Sequence, residues 1–186
     1  KYLNIPIKLK SSKNFDLIKI KGLNNYKSFN YSIPGDISSS AFFIVLTMLS
    51  NKSKILIKNV NVNETRTGII KILNKMKANI VLKNKKKYKG EMIADIQVTS
   101  SPVLKSINCP PSLNSSTIDE LILIFLVAGV KTKGVSTFKD LSELNKKESP
   151  RLDLAINFLR MIGVKVKRNK NDIKIYGKPN LSLDGA

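Results

Sequence analysis

Charged side chains gather at one predicted helix entrance, in the stretch "LNKKESPRLDLAINFLRMIG" (144–163). The cluster comprises Lys146, Lys147, Glu148 and Arg151. A glutamate can give up or take a proton during a reaction, while lysine and arginine bind phosphates and carboxylates. This combination predicts proton transfer on an anionic substrate.

A second carboxylate, Asp119, lies where another predicted helix starts. Two carboxylates in one site can divide the acid and base roles when their environments separate their pKa values. Helix N-termini add partial positive charge and free N–H donors for anions. The two helices are predicted to be neighbours across one strand, so Asp119 and Glu148 are expected to point towards one edge.

The alternative is that these residues do no chemistry. An Asp or Ser at a helix start usually caps the helix, and a run of mixed charges is usually a solvated face. Glu148 and Arg151 lie three positions apart, so a plain surface ion pair is open to them. The matching helix start in the first half of the chain keeps Arg66 but lacks the lysines, which favours a site in the second half.

The elements that must position these residues form two copies of one α-β-α-β-β unit. Placing Asp36 on Asp119 and Arg66 on Arg151 requires nearly the same shift along the chain. Each helix and strand is predicted from hydrophobic spacing and cap residues. The first copy comprises a helix capped by Asp36, a strand at 54–58, a helix at 68–76 and strands at 78–82 and 93–98. The second comprises a helix entered at 115–117, a strand at 135–139, a helix at 149–161 and strands at 164–166 and 173–175. The fold class is therefore α/β, or α+β with mixed sheets.

Caps and turns complete this prediction. Ser149 is expected to cap the second helix of the second copy, with Pro150 in its first turn. The basic run at 83–89 lies between two strands and is predicted to be a hairpin loop.

The net charge of +20 invites a nucleic-acid-binding alternative. Most of the lysines, however, are spread along the chain beside many Asn and Ile residues, which is typical of a compositionally biased proteome. The run at 83–89 is the one dense cluster, and Tyr88 is its only aromatic residue. An anionic small substrate is equally compatible with the positive charge.

Several site types are excluded by the rarity of histidine and cysteine. The chain has no histidine, so it holds no Ser-His-Asp triad, and with Cys109 alone it has neither an internal disulfide nor a plausible zinc site. The longest apolar run, 121–130, is too short to span a membrane and predicts a buried helix. The chain starts without methionine and ends on a strand-like stretch at 181–186, so a fragment of a longer protein is expected.

Four blocks of sequence resemble the 5-enolpyruvylshikimate-3-phosphate synthase family, in its order and at its spacing. They are "IPGDISSSAFF" (33–43), "NETRTGIIKILNKMKANI" (63–80), "TIDELILI" (117–124) and "ELNKKESPRLD" (143–153). The resemblance covers 1–186. The sister UDP-N-acetylglucosamine enolpyruvyl transferases share the fold but lack the first and last blocks in this form, and they remain an alternative.

The resemblance implies an inside-out α/β barrel of βαβαββ repeats, enolpyruvyl transferase-like and incomplete in this chain. Residues 1–32 would be the tail of a first domain. Residues 33–180 would supply two repeats of a second domain, and 181–186 would begin a missing third repeat.

The resemblance also implies a reaction. The 5-hydroxyl of shikimate 3-phosphate attacks C2 of phosphoenolpyruvate, a tetrahedral intermediate forms, and phosphate leaves. The family's aspartate base falls on Asp119 and its glutamate proton donor on Glu148. Lys147 matches its phosphoshikimate-binding lysine and Arg151 its phosphoenolpyruvate-binding arginine. Glu143 falls where some members carry an asparagine that touches phosphoshikimate.

The resemblance implies no metal, organic cofactor, nucleic acid or membrane partner, and it implies a cytoplasmic, monomeric parent protein. Pro150 departs from the family, which usually has an acidic residue directly before the arginine. Since the family's remaining substrate-binding residues lie in segments absent here, the chain by itself is expected to be inactive.

Overall fold

The structure, a computed structural model, describes residues 5–22, 28–179 and 181. Its helices and strands alternate along most of the chain. Those of the first part are β1 (Ile7–Ser11), β2 (Asp16–Ile20), α1 (Ile37–Leu49), β3 (Lys54–Asn61), α2 (Gly68–Lys75), β4 (Asn79–Tyr88) and β5 (Glu91–Thr99). Those of the second part are β6 (Leu104–Lys105), α3 (Leu121–Val130), β7 (Thr132–Phe138), α4 (Arg151–Met161), β8 (Lys165–Asn169) and β9 (Asp172–Gly177).

Two successive units share one strand order. In the first unit, β3 and β4 both pair antiparallel with β5, which lies between them. In the second unit, β7 and β8 pair in the same way with β9, and the short β6 adds a parallel neighbour to β7. The repeated α-β-α-β-β plan thus has the same antiparallel pairing of three strands in both halves, and β6 makes the sheet of the second unit mixed.

The helices form the interior of this arrangement. The central helix, α3, packs against α1, α2 and α4, while each sheet contacts helices of its own unit from outside. Because α3 is apolar on all sides, it is favourable only where its faces are buried. Phe125 of α3 packs edge-on against Phe138 of β7, with ring centroids 4.8 Å apart.

The helix starts differ in how they are capped. Asp36 caps α1 as predicted, because its Oδ2 accepts the backbone N–H of Ser39 at 2.8 Å. The predicted cap Ser149 is wrong. Pro150 occupies the cap position of α4, and Asn145 Oδ1 accepts the N–H of Leu152 at 3.1 Å. Ser149 lies one residue too early, and its carbonyl accepts the N–H of Arg151 instead.

The central helix begins at Leu121, later than the sequence predicts from an entrance at 115–117. The residues before it, 114–120, form a compact turn in which Thr117 N–H donates to Asn114 and Glu120 N–H donates to Thr117. The hydroxyl of Thr117 also donates to the carbonyl of Leu113 at 2.9 Å. Such local bonds compete with helix formation and delay its start.

The predicted hairpin loop at 83–89 is also wrong. Most of this basic run belongs to β4, and the turn to β5 lies at Lys89 and Gly90. Since β4 is an edge strand, its lysine side chains can stay in water while the backbone pairs with β5.

The central strand β5 pairs irregularly with both of its neighbours, β3 and β4. The register shifts on β3 and on β4, near Asn59 and Asn84, which both have left-handed backbone angles (φ 52° and 51°). Asp95 of β5 binds both irregular segments, accepting the N–H of Asn59 at 2.8 Å and the side-chain amide of Asn84 at 2.7 Å. This clamp stabilises the two shifted registers.

The strands β1 and β2 form an antiparallel hairpin whose apolar side chains are exposed on both faces. Assigning 1–32 to another domain stays a prediction; residues 1–4 and 23–27 lie outside the described residues. So does the expected start of a third repeat at 181–186, apart from Leu181. No helix in the described ranges combines the length and apolar character needed to cross a membrane.

Candidate active site

Three of the predicted site residues meet where α3 and α4 begin. Asp119, at the end of the turn before α3, accepts a hydrogen bond from Arg151 Nη1 at 2.9 Å through its Oδ1. The same oxygen lies 3.4 Å from Lys147 Nζ. Arg151 is the first residue of α4 and Lys147 lies just before that helix. The packing of α3 on α4 therefore places one carboxylate against two cations.

This contact controls the protonation of Asp119. Partial burial tends to raise the pKa of the carboxyl group, but the hydrogen bond from Arg151 and the charge of Lys147 outweigh it, so its pKa lies below the ordinary value. The side chain is still 41% exposed. Asp119 is thus ionised at neutral pH and can be reached by a ligand.

Glu148 lies between Lys147 and Arg151 in sequence, and its side chain is exposed. The surface ion pair considered between Glu148 and Arg151 does not form, because the guanidinium of Arg151 turns to Asp119. Within the described ranges, no side chain forms a hydrogen bond or an ion pair with Glu148. Its carboxyl group is therefore available to donate or accept a proton.

Glu143 lies to one side of this group. Its carboxylate pairs with Lys146 at 2.8 Å, and both side chains are exposed. Glu143 and Lys147 also line one cavity of about 500 Å³ beside the turn that precedes α3. That volume is in the range of pockets for small ligands. The wall does not include Asp119 or Glu148.

A second polar cluster joins the two units, and the sequence patterns did not single out its buried member, Glu120. Glu120 is only 3% exposed and accepts a hydrogen bond from the hydroxyl of Ser38 on α1. That hydroxyl in turn accepts a hydrogen bond from Arg66 Nη2 at 3.0 Å. Burial raises the pKa of Glu120, and the bond from Ser38 offsets part of the effect. The sequence does contain a signal for this carboxylate, namely an acidic residue directly before a wholly apolar helix. Since acidic residues are rarely fully buried unless they are paired, such a position indicates a buried side chain with a partner.

Arg66 also lines a cavity of about 390 Å³ with Asp36 and Asn63, next to the start of α1. Among the residues that the structure describes, no group of three His, Cys, Asp or Glu side chains is placed to hold a metal ion. The chemistry available at the helix starts is thus proton transfer by carboxylates beside cations that bind anions.

Comparison with known proteins points to one family. The model of the family EPSP synthase (3-phosphoshikimate 1-carboxyvinyltransferase) matches residues 1–186. A 3-phosphoshikimate 1-carboxyvinyltransferase of Ruthia magnifica subsp. Calyptogena magnifica is 38% identical over 175 residues, covering 92% of this chain and 40% of that protein. One from Thermoanaerobacter sp. (strain X514) is 43% identical over 145 residues, covering 78% of this chain and 34% of that protein.

Solved structures agree. An EPSP synthase from Acinetobacter baumannii has a TM-score of 0.84 at 31% sequence identity, over 95% of this chain and 39% of that one. The enolpyruvyl transferase NikO from Streptomyces tendae has a TM-score of 0.61 at 8% identity, which shows the shared fold alone. The predicted enolpyruvyl transferase-like α/β fold, incomplete in this chain, is confirmed. The chain spans two fifths or less of the length of the curated relatives given above.

Proposed function

We propose that this chain, which belongs to the EPSP synthase family, is part of a protein that transfers the carboxyvinyl group of phosphoenolpyruvate to shikimate 3-phosphate. The 5-hydroxyl is the acceptor, phosphate is released, and the reaction serves the shikimate pathway. The observation that carries the proposal is the contact of Asp119 with Lys147 and Arg151 at adjoining helix starts. The UDP-N-acetylglucosamine alternative is not supported, since the two curated relatives compared above both bear the 3-phosphoshikimate name.

Two carboxylates divide the proton transfers in this proposal. Asp119 takes the proton of the 5-hydroxyl as its oxygen attacks C2 of phosphoenolpyruvate, and Glu148 gives a proton to the methylene carbon C3. In the second step a proton leaves the new methyl group and the C2–O bond to phosphate breaks. Glu148 is exposed and has no side-chain partner in the described part of the chain, which suits a group that must donate and then recover a proton.

Two cations bind the anionic groups. Lys147 is proposed to bind shikimate 3-phosphate and Arg151 to bind phosphoenolpyruvate, where a guanidinium can hold a carboxylate or a phosphate bidentately. Both cations lie against Asp119. When substrate anions take over these contacts, the pKa of Asp119 rises, which makes it a stronger base for the hydroxyl proton. Glu143, which shares a cavity wall with Lys147, is proposed as a further contact of the phosphoshikimate.

The domain assignment is part of the proposal. Residues 1–32 are assigned to the tail of one domain, 33–180 to two repeats of a second, and 181–186 to the beginning of a third repeat. Exposed apolar side chains on two helices support a further repeat that covers them. They are Phe42, Phe43 and Leu46 of α1 and Leu154, Phe158 and Met161 of α4. A cytoplasmic monomer that acts on small metabolites, with neither nucleic acid nor membrane as partner, fits the same function.

The 186-residue chain alone is proposed to be inactive, because it spans two fifths or less of its relatives. A phosphate-release assay with both substrates tests this directly. Turnover by the chain at the rate of a full-length relative would overturn it.

The role of Glu148 is tested in the full-length protein. Glu148→Gln keeps the size of the side chain but removes its proton, so kcat should fall by roughly 10²- to 10⁴-fold. Glu64→Gln is the matched control, because Glu64 is an exposed glutamate outside the site. A Glu148→Gln enzyme as fast as the control would refute the assignment.

A further inference from the structure

We infer that Ser38 and Glu120 position Asp119 for proton transfer, by tying the first turn of α1 to the turn that carries the base. This inference rests on the proposed function. It adds two residues to the machinery, and both act through Asp119 and do not touch the substrates.

The geometry of Glu120 is the first support. The residue occupies the cap position of α3, yet its side chain makes no capping bond to that helix. It reaches instead to the other unit, where it accepts the hydroxyl hydrogen of Ser38. Since Asp119 and Glu120 are adjacent, fixing one side chain to α1 limits the movement of the next residue. Asp119 is then held where it meets Arg151 at 2.9 Å.

The charge of Glu120 is the second support. Burying a carboxylate costs free energy unless it is paired, and a neutral polar pair would join two helices at a smaller cost. Here the charge is compensated through Ser38, which accepts from Arg66 Nη2 at 3.0 Å. The charge of the adjacent Asp119 adds to the effect of burial in raising the pKa of Glu120, and the bond from Ser38 offsets part of this. The buried carboxylate is therefore tied to α1 by a charge-assisted hydrogen bond directly beside Asp119.

The packing of the turn is the third support. On its far side, the N–H of Gly68 at the start of α2 donates to the carbonyl of Ser116 at 3.1 Å. A Cβ on Gly68 would come 1.7 Å from Thr117 Oγ1, so α2 and the turn are in direct contact. The first unit therefore holds the turn at two points, and the bond from Ser38 is the one next to Asp119 in sequence.

The test compares serine variants in the full-length protein. Ser38→Ala removes the hydroxyl bridge and Ser38→Thr keeps it. Ser39→Ala is the matched control, since the Ser39 hydroxyl donates to Asp36 Oδ2 at 3.1 Å, away from Glu120. Misplacing a catalytic group by a fraction of an ångström to 1 Å lowers rates by up to about 100-fold. We expect Ser38→Ala to lower kcat by roughly 10- to 100-fold with KM for both substrates nearly unchanged. Ser38→Thr should restore most of kcat.

The outcomes separate the two proposals. Equal kcat values for Ser38→Ala and Ser39→Ala, beside an active wild type, would overturn the positioning role and leave the proposed function standing. A wild type without phosphate release would overturn both. Equal thermal midpoints for the two alanine variants, together with different kcat values, would show that the effect is not a loss of folding.

A second variant covers the case in which Ser38→Ala does not fold. Glu120→Gln keeps the shape of the side chain and removes its charge. The groups that face Glu120 are Ser38 of α1, Arg66 before α2 and Asp119 of its own turn. A neutral amide oxygen accepts a weaker hydrogen bond from Ser38 than a carboxylate does, so kcat should fall while KM for both substrates stays nearly unchanged. A kcat equal to that of the wild type would overturn the inference.

Discussion

Gly68 is the position where one added methyl group should disturb the candidate site most directly. It is the first residue of α2, and it is buried against the turn that ends at Asp119. A Cβ there would lie 1.7 Å from Thr117 Oγ1, 2.5 Å from Ser116 Oγ and 2.7 Å from the Ser116 carbonyl oxygen. The last of these is a backbone atom, which can move only if the turn moves.

The expected loss of stability for Gly68→Ala follows from these contacts. Helix propensity alone favours alanine over glycine by up to about 1 kcal/mol. Overpacking a rigid site costs about 1–3 kcal/mol, and Thr117 is fully buried with its hydroxyl already bonded to Leu113. With the overpacking cost at the upper end of that range and the gain from helix propensity subtracted, we expect the free energy of unfolding to fall by about 2 kcal/mol.

Urea denaturation of the full-length protein measures this loss. With an m-value of about 2 kcal/mol/M, the midpoint should fall by about 1 M for Gly68→Ala. Gly22→Ala is the matched control, since a Cβ on Gly22 would have no atom of the described residues within 4 Å. Adding Thr117→Ala removes the contact at 1.7 Å, so the double variant should be more stable than the sum of the single losses predicts.

Equal urea midpoints for Gly68→Ala and Gly22→Ala would refute the close packing of α2 on this turn. Strict additivity of Gly68→Ala and Thr117→Ala would refute the specific contact between those two residues. The same variant also bears on catalysis, because a displaced turn moves Asp119. Its kcat should fall even at temperatures where the protein remains folded.

Three further predictions concern a cap, an ion pair and a thiol. Asn145→Ala removes the side-chain acceptor for the N–H of Leu152 and should lower the free energy of unfolding by about 1 kcal/mol. An unchanged midpoint of urea denaturation would contradict the cap. The pKa of Asp119 lies below its ordinary value of 3.8, so its pairing with Arg151 stabilises the fold above about pH 4 and is lost as the pH falls below that value. Asp119→Asn should therefore weaken the fall in stability between about pH 6 and pH 3, and an unaltered pH dependence would count against the pairing. Burial raises the pKa of the Cys109 thiol to about 11, so a disulfide reagent at about pH 8 should react far more slowly with native than with urea-unfolded protein; equal rates would show an exposed thiol.

The sequence predicted the elements whose signals are local. Asp36 is the cap of α1 as expected, and the helical spacing at 68–76 corresponds to α2 at Gly68–Lys75. The paired strands expected at 164–166 and 173–175 correspond to β8, which begins one residue later at Lys165, and to β9, with Val166 opposite Ile175. These features depend on neighbouring residues, which periodicity and cap chemistry describe well.

The edge strand and the helix cap that depend on tertiary contacts were predicted less well. The basic run at 83–89 has the composition of a loop, yet most of it is strand, because β5 supplies hydrogen-bond partners for an edge strand whose lysines remain solvated. Asn145, not Ser149, caps α4, since the chain before that helix folds back to bring the amide to Leu152.

The sequence by itself determined the family, the repeated α-β-α-β-β plan and the set of charged residues at the helix starts. Only the tertiary structure decided which charges pair. Arg151 had Glu148 three residues away as a partner but contacts Asp119, and Glu120 binds Ser38 of the other unit. The reason is physical: a long charged side chain can reach several partners, and the packing of α1, α3 and α4 determines which carboxylate or hydroxyl lies within hydrogen-bonding distance.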